Sequence, residues 1–203
     1  MGLKKVNIKY CNSVYKIAQI DEFANIIEVF CVKRFSVNVQ SQGIPGWDVT
    51  LVLDNLRSAH NVGNVFRIAE ALQLKIIACG CTPTPPHPVL AKTAMDCDKV
   101  VPCQSMSSAV EAVKYLRQNG CSQILALEHN AESVEVWDFK EYKLPLALIL
   151  GNEAKGVSPE VLAMCDAAVD LPMLGEKASI NVGNAAAAAL YGIYAKIKQS
   201  LVI

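Results

Sequence analysis

Long hydrophobic runs are missing from this chain of 203 residues. A helix that crosses a bilayer needs ~20 consecutive apolar residues, and every apolar run here is far shorter. The amino-terminal stretch Met-Gly-Leu-Lys-Lys-Val-Asn carries positive charges, but no hydrophobic region of signal-peptide length follows it. We therefore expect a cytoplasmic protein with no membrane partner.

Cysteine pairs with metal-binding spacing are also missing, although the chain has 8 cysteines. The closest pair, Cys79 and Cys81, is separated by a single residue, which is poor spacing for a zinc site. Most of the cysteines lie within apolar stretches, a pattern typical of reduced thiols that pack as small hydrophobic groups. We expect neither a disulfide framework nor a bound metal.

Neither sign of charge is in excess, since 19 Lys and Arg balance 19 Asp and Glu. Bulk charge therefore does not indicate a nucleic-acid-binding protein. Residues 1–47 are locally basic, with six Lys and Arg against three Asp and Glu. This segment contains a β-prone run at Phe35–Val39 and a possible helix at Asp21–Phe30. We interpret residues 1–47 as a short extension that either contacts RNA or is simply a solvated surface.

A regular pattern begins at Asp48, after the break at Gly43-Ile-Pro-Gly46. Continuous apolar runs alternate with segments of helical periodicity, and such runs are typical of parallel strands buried on both faces. We predict an α/β domain over residues 48–203, with a mostly parallel sheet flanked by helices. The predicted strands are Leu51–Leu53, Ile76–Cys79, Ile124–Leu127, Leu146–Leu150 and Ala168–Leu171.

Helix boundaries are marked by capping residues. Ser108-Ala-Val-Glu111 is a capping box, Asn119-Gly120 is a carboxyl-terminal stop, and Ser158-Pro159 pairs an N-cap with proline at the first helical position. In α/β sheets, ligands bind beyond the carboxyl ends of the strands. The loops after Leu53, Leu150 and Leu171 are therefore the predicted location of the site.

The first of these loops leads into a helix for which Asn61 is the predicted N-cap. The apolar stripe of this helix leaves Arg67 on roughly the opposite side, where the side chain is either solvated or able to reach the ligand edge of the sheet. His60 is interpreted as a loop residue. The stripe consists of Val62, Val65, Phe66, Ala69 and Leu72.

The second loop, Leu150-Gly-Asn-Glu-Ala-Lys-Gly-Val-Ser158, contains two glycines that allow sharp turns and a close approach to a ligand. Lys155 precedes the second glycine instead of following it, which argues against a nucleoside triphosphatase. Glu153 could accept a hydrogen bond from a hydroxyl, or it could orient Arg67.

The third loop breaks after Leu171 at Pro172 and ends in a helix that Ser179 or Asn181 could cap. Free N–H groups at a helix start can also hold ligand oxygen atoms. The alanines at 185–189 allow this helix to pack closely. The stripe Leu190, Ile193, Tyr194 and Ile197 gives it one buried face.

Together, in this order and spacing, the three loops resemble the motifs of the SpoU/TrmH group of SPOUT RNA methyltransferases. Thr82–Pro88 and Lys92–Ala94 also look familial. The resemblance implies a SPOUT-type fold with a carboxyl-terminal trefoil knot, S-adenosylmethionine as methyl donor and a ribose 2′-hydroxyl of tRNA or rRNA as acceptor. It also implies a homodimer whose sites are completed across the interface.

Site residues follow from the resemblance by position. The predicted active-site residues are Asn61, Arg67, Glu153, Ser179 and Asn181. The predicted cofactor-binding residues are Leu150, Gly151, Leu171, Met173 and Ile180. Because arginine stays protonated in proteins, we expect Arg67 to position the acceptor hydroxyl and its neighbouring phosphate. It would act as a base only if its pKa were strongly perturbed, and the sequence does not decide between these two roles.

This sequence departs from the family pattern in two places. Gly183-Asn184 replaces a more usual serine–aliphatic pair, and residues 1–47 do not resemble the separate RNA-binding domain of many members. Two other functions stay open: a catalytically silent assembly factor that binds S-adenosylmethionine and RNA, and a dinucleotide enzyme, although no Gly-x-Gly-x-x-Gly follows the first strand. The target nucleotide does not follow from the sequence.

Overall fold

The computed structural model describes residues 43–176 and 179–201. The predicted strand at Phe35–Val39 and the predicted helix at Asp21–Phe30 lie outside these residues. So does nearly all of the proposed RNA-contacting extension, residues 1–47.

The described part of the chain contains seven strands and five α-helices. The strands are β1 (Val49–Asp54), β2 (Lys75–Cys79), β3 (Cys103–Met106), β4 (Gln123–Leu127), β5 (Val134–Glu135), β6 (Leu146–Leu150) and β7 (Ala167–Asp170). The helices are α1 (Ala59–Ala71), α2 (Pro88–Ala94), α3 (Ala109–Gln118), α4 (Pro159–Leu162) and α5 (Val182–Ser200), with a 3-10 turn at Cys97–Lys99.

All seven strands join one sheet in the order β3-β2-β1-β6-β4-β7-β5, and every neighbouring pair is parallel. The predicted α/β class and the five predicted strands are confirmed. The prediction missed β3 and β5, which form the two edges of the sheet and carry exposed polar residues.

Helices cover both faces of the sheet, which explains why its central strands are apolar throughout. Leu51 and Leu148 belong to the core that also contains the buried residues of α1 and α5. Val52 and Ile149, one residue further along the same strands, belong to the core beneath α3 and α4. Successive strand residues thus enter opposite cores.

The predicted helix boundaries agree with the structure, except in some details of capping. The Ser108 hydroxyl accepts a hydrogen bond from the Glu111 N–H (3.2 Å), and the Glu111 carboxylate accepts one from the Ser107 N–H (3.1 Å). Gly120 follows α3 with φ +80°, as a terminating glycine does. Ser158 is the N-cap of α4, but its side chain makes no capping hydrogen bond.

Cysteine environments are mixed in the described residues. Cys79 is buried, and this burial raises the pKa of its thiol to about 12. Burial also raises the pKa of the half-buried Cys103 and Cys165 thiols, to about 11 each. Cys81, by contrast, is exposed. Packing as a small hydrophobic group therefore describes Cys79 best.

Among the helices of residues 43–176 and 179–201, not one combines the length and the hydropathy that crossing a bilayer requires.

Candidate active site

A cleft of about 660 Å³ lies where β6, β4 and β7 end at the carboxyl edge of the sheet. Its walls come from the start of α1, the loop after β6 and the loop between β7 and α5. It therefore brings together the three loops that the sequence singled out. The predicted site residues that line it are Asn61, Leu150, Gly151, Glu153, Leu171, Met173, Ser179, Ile180 and Asn181.

Glu153 is bound to the amino-terminal turn of α1. Its Oε2 accepts a hydrogen bond from the Arg57 N–H (3.0 Å), and its Oε1 accepts one from the Ser58 N–H (3.1 Å). Oε1 also accepts from Nδ2 of Asn61 (3.0 Å). Partial burial alone would raise the pKa of the Glu153 carboxyl, but these hydrogen bonds outweigh burial and hold the pKa below its ordinary value. These hydrogen bonds go to the start of α1 and not to Arg67.

Asn61 is the centre of a hydrogen-bond chain instead of the N-cap of α1, so the predicted cap is wrong. Ser58 is the N-cap, because its hydroxyl accepts from the Asn61 N–H (3.3 Å). The Asn61 side chain is therefore available to donate to Glu153 and to accept, at Oδ1, from Nδ2 of Asn181 (3.0 Å). Residues far apart in the sequence are thus held in one arrangement.

Asn181 serves two elements with one side chain. Its Oδ1 accepts from the N–H groups of Gly183 (2.9 Å) and Asn184 (3.3 Å), so Asn181, and not Ser179, caps α5. Its Nδ2 faces Asn61. A side chain on Gly183 would also approach Asn64, since a Cβ there would lie 3.2 Å from the Asn64 Cβ. The glycine that departs from the family pattern therefore allows α5 to begin close to α1.

The loop after β6 closes on itself through backbone hydrogen bonds between Asn152 and Gly156 (3.0 and 2.8 Å). Inside it, the Asn152 Oδ1 accepts from the N–H groups of Ala154 (3.0 Å) and Lys155 (3.2 Å). A Cβ on Gly151 would lie 2.2 Å from the Gly156 carbonyl carbon. Gly151 was predicted to allow a ligand to approach, but the closest approach to it is by the backbone of its own loop, which leaves no room for a side chain.

Arg67 is the predicted site residue that does not line the cleft. It is exposed, and among residues 43–176 and 179–201 it has no hydrogen-bond or ion-pair partner. Burial raises the pKa of the Cys97 thiol, and the charge of Arg67 opposes that rise. The guanidinium is thus on the side of α1 near the 3-10 turn.

The sequence prediction missed several polar residues of the cleft. Glu128 and His129 directly follow β4, and Asp170 ends β7. Glu128 Oε2 accepts from the Val157 N–H (2.7 Å), which ties the loop after β6 to the end of β4. The strand-end rule that located the three loops also applies to β4, and it could have found Glu128 and His129.

Comparisons with known proteins agree with this geometry. The chain is 33% identical over 147 residues to the tRNA (guanosine(18)-2'-O)-methyltransferase of Thermus thermophilus, covering 71% of this chain and 73% of that enzyme. It is 29% identical over 150 residues to the 23S rRNA (guanosine-2'-O-)-methyltransferase RlmB of Ralstonia nicotianae, covering 73% of this chain and 59% of that protein.

A solved structure also matches. The SpoU methyltransferase AviRb from Streptomyces viridochromogenes, in complex with the cofactor AdoMet, superposes with a TM-score of 0.65 at 27% identity. The superposition covers 75% of this chain and 57% of AviRb. This chain therefore spans less than two thirds of the Ralstonia and Streptomyces proteins.

The family model described as the SpoU rRNA Methylase family matches residues 48–191, which include the whole cleft. The match contains the three loops, the hydrogen-bond chain between them and the strands that carry them. This chain belongs to the SpoU rRNA Methylase family.

Proposed function

We propose that this protein methylates a ribose 2′-hydroxyl of a tRNA or an rRNA, with S-adenosylmethionine as methyl donor. The observation that carries the proposal is the chain of hydrogen bonds from Asn181 through Asn61 to Glu153, set in a cleft at the carboxyl edge of a parallel sheet. The named activities of the Thermus and Ralstonia relatives support both the chemistry and the RNA class. They do not favour a dinucleotide enzyme or a catalytically silent factor.

The cleft fits S-adenosylmethionine in size and lining. A volume of about 660 Å³ is within the usual ~300–1,000 Å³ of small-molecule and cofactor sites. The backbone of Gly151, Leu171 and Ile180 supplies amide and carbonyl groups, and Leu150 and Met173 supply apolar surface. When bound, the cofactor supplies the electrophilic methyl group, and the AdoMet-bound AviRb structure supports the assignment.

Glu153 has a structural part in this site. Its two oxygens already accept three hydrogen bonds, and its lowered pKa makes it a weak base. We therefore assign it the role of fixing the Asn61 side chain. Asn61, Ser179 and Asn181 then align the acceptor ribose, and alignment alone can supply a large part of the rate enhancement.

Arg67 completes the site in a homodimer. Within its own chain it is exposed and does not line the cleft, so we propose that it reaches the acceptor RNA in the cleft of a second copy. An unpaired guanidinium can hold a phosphate through two parallel hydrogen bonds. We also propose that the carboxyl-terminal part of the chain forms a trefoil knot. Two observations support the knot: β6 lies between β1 and β4 in the sheet, and α5 returns to pack against α1.

Two further parts of the proposal concern the setting of the enzyme. Residues 1–47, with their local excess of positive charge, contribute RNA contact to the methyltransferase domain of residues 48–203. The protein acts in the cytoplasm, where its RNA substrates are made or used.

Calorimetric titration with S-adenosylmethionine, followed by single-turnover transfer to total tRNA and to rRNA, tests the proposal. We expect micromolar binding of the cofactor. We also expect methyl transfer to one ribose, and this same ribose should be unmethylated in the RNA of a strain lacking the gene. Binding without transfer to either RNA would indicate a silent assembly factor. A folded protein that does not bind the cofactor would overturn the proposal.

A further inference from the structure

His129 and Asp170 form a pair inside the cleft that the three motif loops leave unused. Nδ1 of His129 lies 2.6 Å from Oδ2 of Asp170. The Asp170 side chain is only 10% exposed, whereas 58% of the His129 side chain is exposed at the cleft. A buried carboxylate thus holds an accessible imidazole.

The carboxylate fixes which imidazole nitrogen is free. An ionised carboxylate only accepts hydrogen bonds, so His129 carries its proton on Nδ1 and leaves Nε2 directed away from Asp170. Ser133 Oγ also lies 2.8 Å from Oδ2 of Asp170. The same hydroxyl lies 2.8 Å from the Asn130 carbonyl, however, and its single proton serves one acceptor at a time. His129 is therefore the more dependable donor to Asp170.

The other Asp170 oxygen, Oδ1, destabilises the folded protein, and a purely structural role for the pair does not explain why it is kept. Oδ1 is enclosed and has no hydrogen-bond partner among the described residues. A buried acceptor without a donor costs free energy, and such exceptions often have a functional reason. Orientation of the exposed His129 ring towards a ligand would be such a reason.

The pair lies at the carboxyl ends of β4 and β7, which β6 separates from β1, the strand that leads into the helix of Asn61. In the sheet order, β4 and β7 are two and three positions from β1. Neighbouring strands are ~4.8 Å apart, so the ends of β4 and β7 lie about 10 and 14 Å from the end of β1. A methyl group that reacts beside Asn61 and Asn181 therefore leaves another part of the cofactor near His129.

Charge decides which part of the cofactor that is. Glu128 and Asp170 bring two carboxyl groups to this end of the cleft. They would attract the ammonium of the methionine part but repel the carboxylate on the same carbon, so that carboxylate needs a cation beside it. Lys155, which could pair with that carboxylate, is on the loop after β6. The nucleoside is neutral, and its hydroxyl and amino groups can donate a hydrogen bond to the unprotonated Nε2 of His129.

We infer that Nε2 of His129, oriented by Asp170, hydrogen-bonds the nucleoside part of S-adenosylmethionine. The inference rests on the proposed function, and it assigns His129 as a cofactor-binding residue and Asp170 as its positioning residue.

Calorimetry with S-adenosylhomocysteine and with 5′-methylthioadenosine, which lacks the amino-acid part, tests the contact. We expect His129→Ala to weaken both ligands about tenfold, the usual effect of one lost hydrogen bond. His129→Gln should recover part of the loss, and His60→Ala, on an exposed histidine outside the cleft, should change nothing. If only S-adenosylhomocysteine binds more weakly, His129 faces the amino-acid part and the inference is wrong.

Asp170 is tested through the His129 ring itself. With 13C-labelled histidine, ligand should shift the His129 signal in the wild type and in Ser133→Ala, but much less in Asp170→Asn. An equal shift in all three would remove Asp170 as the positioning residue. Unchanged affinity in His129→Ala, in a protein whose wild type binds the cofactor, overturns the inference alone. No cofactor binding by the folded wild type overturns the proposed function.

Discussion

Arg67 is the predicted site residue that lies outside the cleft of its own chain and is proposed to act in the cleft of a second copy. The other predicted site residues line the cleft, while Arg67 is two turns further along α1 and exposed to solvent. It has no hydrogen-bond or ion-pair partner among the described residues, so those residues do not explain a need for this cation. Its contribution to folding and its contribution to catalysis can therefore be separated.

Arg67→Ala should leave the fold almost unchanged and nearly abolish methyl transfer. A surface substitution of this kind shifts the free energy of unfolding by less than about 0.5 kcal/mol. Loss of a charged group that positions the acceptor lowers the transfer rate by about two orders of magnitude. Arg67→Lys should recover little, because an ammonium lacks the planar fork.

Single-turnover transfer and thermal unfolding of the two Arg67 variants give both quantities. Lys114→Ala, on the exposed side of α3, is the matched loss of one surface cation and should transfer at the wild-type rate. Full activity in Arg67→Ala would remove this residue from the mechanism.

Glu153→Gln should damage the site through Asn61. Both carboxylate oxygens accept hydrogen bonds. The glutamine amide has an NH2 group in place of one oxygen, so on that side two donors would face each other and the hydrogen bond would be lost. We expect a loss of about 1 kcal/mol of unfolding free energy and a larger loss of transfer rate. Glu160→Gln, in the first turn of α4, is the control and should change neither.

The pH dependence of this stability difference follows from the lowered pKa of Glu153. Because the folded-state value is below the ordinary value of about 4.3, the stabilisation is fully present above that pH. It is lost as the pH falls through the lower, folded-state value. Chemical unfolding at a series of pH values should therefore show a constant gap between wild type and Glu153→Gln above about pH 5 that closes in more acidic buffer. A gap that widened on acidification would contradict this assignment.

At the scale of elements, the loop after β6 depends on the absence of a side chain at Gly151. A Cβ at this position would lie 2.2 Å from the Gly156 carbonyl carbon and 2.3 Å from the Val157 nitrogen, and backbone atoms cannot rotate away. Gly151→Ala should therefore shift the loop, destabilise the protein by about 1–3 kcal/mol and weaken cofactor binding.

Gly175→Ala is the matched control for the loop. No described atom lies within 4 Å of a Cβ at Gly175, which is in the third loop but outside the cleft lining. We expect this variant to bind the cofactor like wild type in calorimetry. Equal affinity in Gly151→Ala would show that the loop tolerates the shift.

The elements also show what the sequence could predict. The runs around Leu51, Ile124 and Leu148 are apolar without interruption because helices cover both faces of the sheet, and such runs identify buried parallel strands. β3 and β5 are at the edges, where exposed residues such as Gln104 and Glu135 remove that signal. Short edge strands depend on their neighbours more than on their own residues.

Site residues within a single sequence motif could be predicted, whereas contacts between residues of two different loops could not. Glu153 and Asn181 were found within their motifs. The hydrogen bond from the Val157 N–H to Glu128 joins residues 29 positions apart, and that between His129 and Asp170 joins residues 41 positions apart. Neither pair has a sequence spacing that would reveal it, because only the order of β6, β4 and β7 in the sheet brings these loops together.

At the scale of the whole molecule, the third loop and α5 expose apolar groups that a second copy could cover. Leu174 is fully exposed, and Ile180 and Tyr191 are about half exposed, on the third loop and α5. Large exposed apolar side chains are typical of surfaces that a second subunit covers. A dimer formed there would bring a second chain to the edge of each cleft.

Mixing two inactive variants tests whether Arg67 acts in the cleft of a partner. Arg67→Ala keeps an intact cleft, and Asn181→Ala keeps an intact arginine. If each site combines one cleft with the arginine of the other copy, a mixed dimer contains one complete site and one site with both defects. Random reassortment in a two-fold dimer then restores about a quarter of wild-type activity. If Arg67 serves its own cleft, mixed dimers have no complete site and the mixture stays inactive.

Two controls come before the mixing experiment. Asn181→Ala removes the cap of α5, so its unfolding must first be shown to remain cooperative. Sedimentation of the wild type comes before both measurements, since a protein found only as the 22.0 kDa monomer would exclude a shared site.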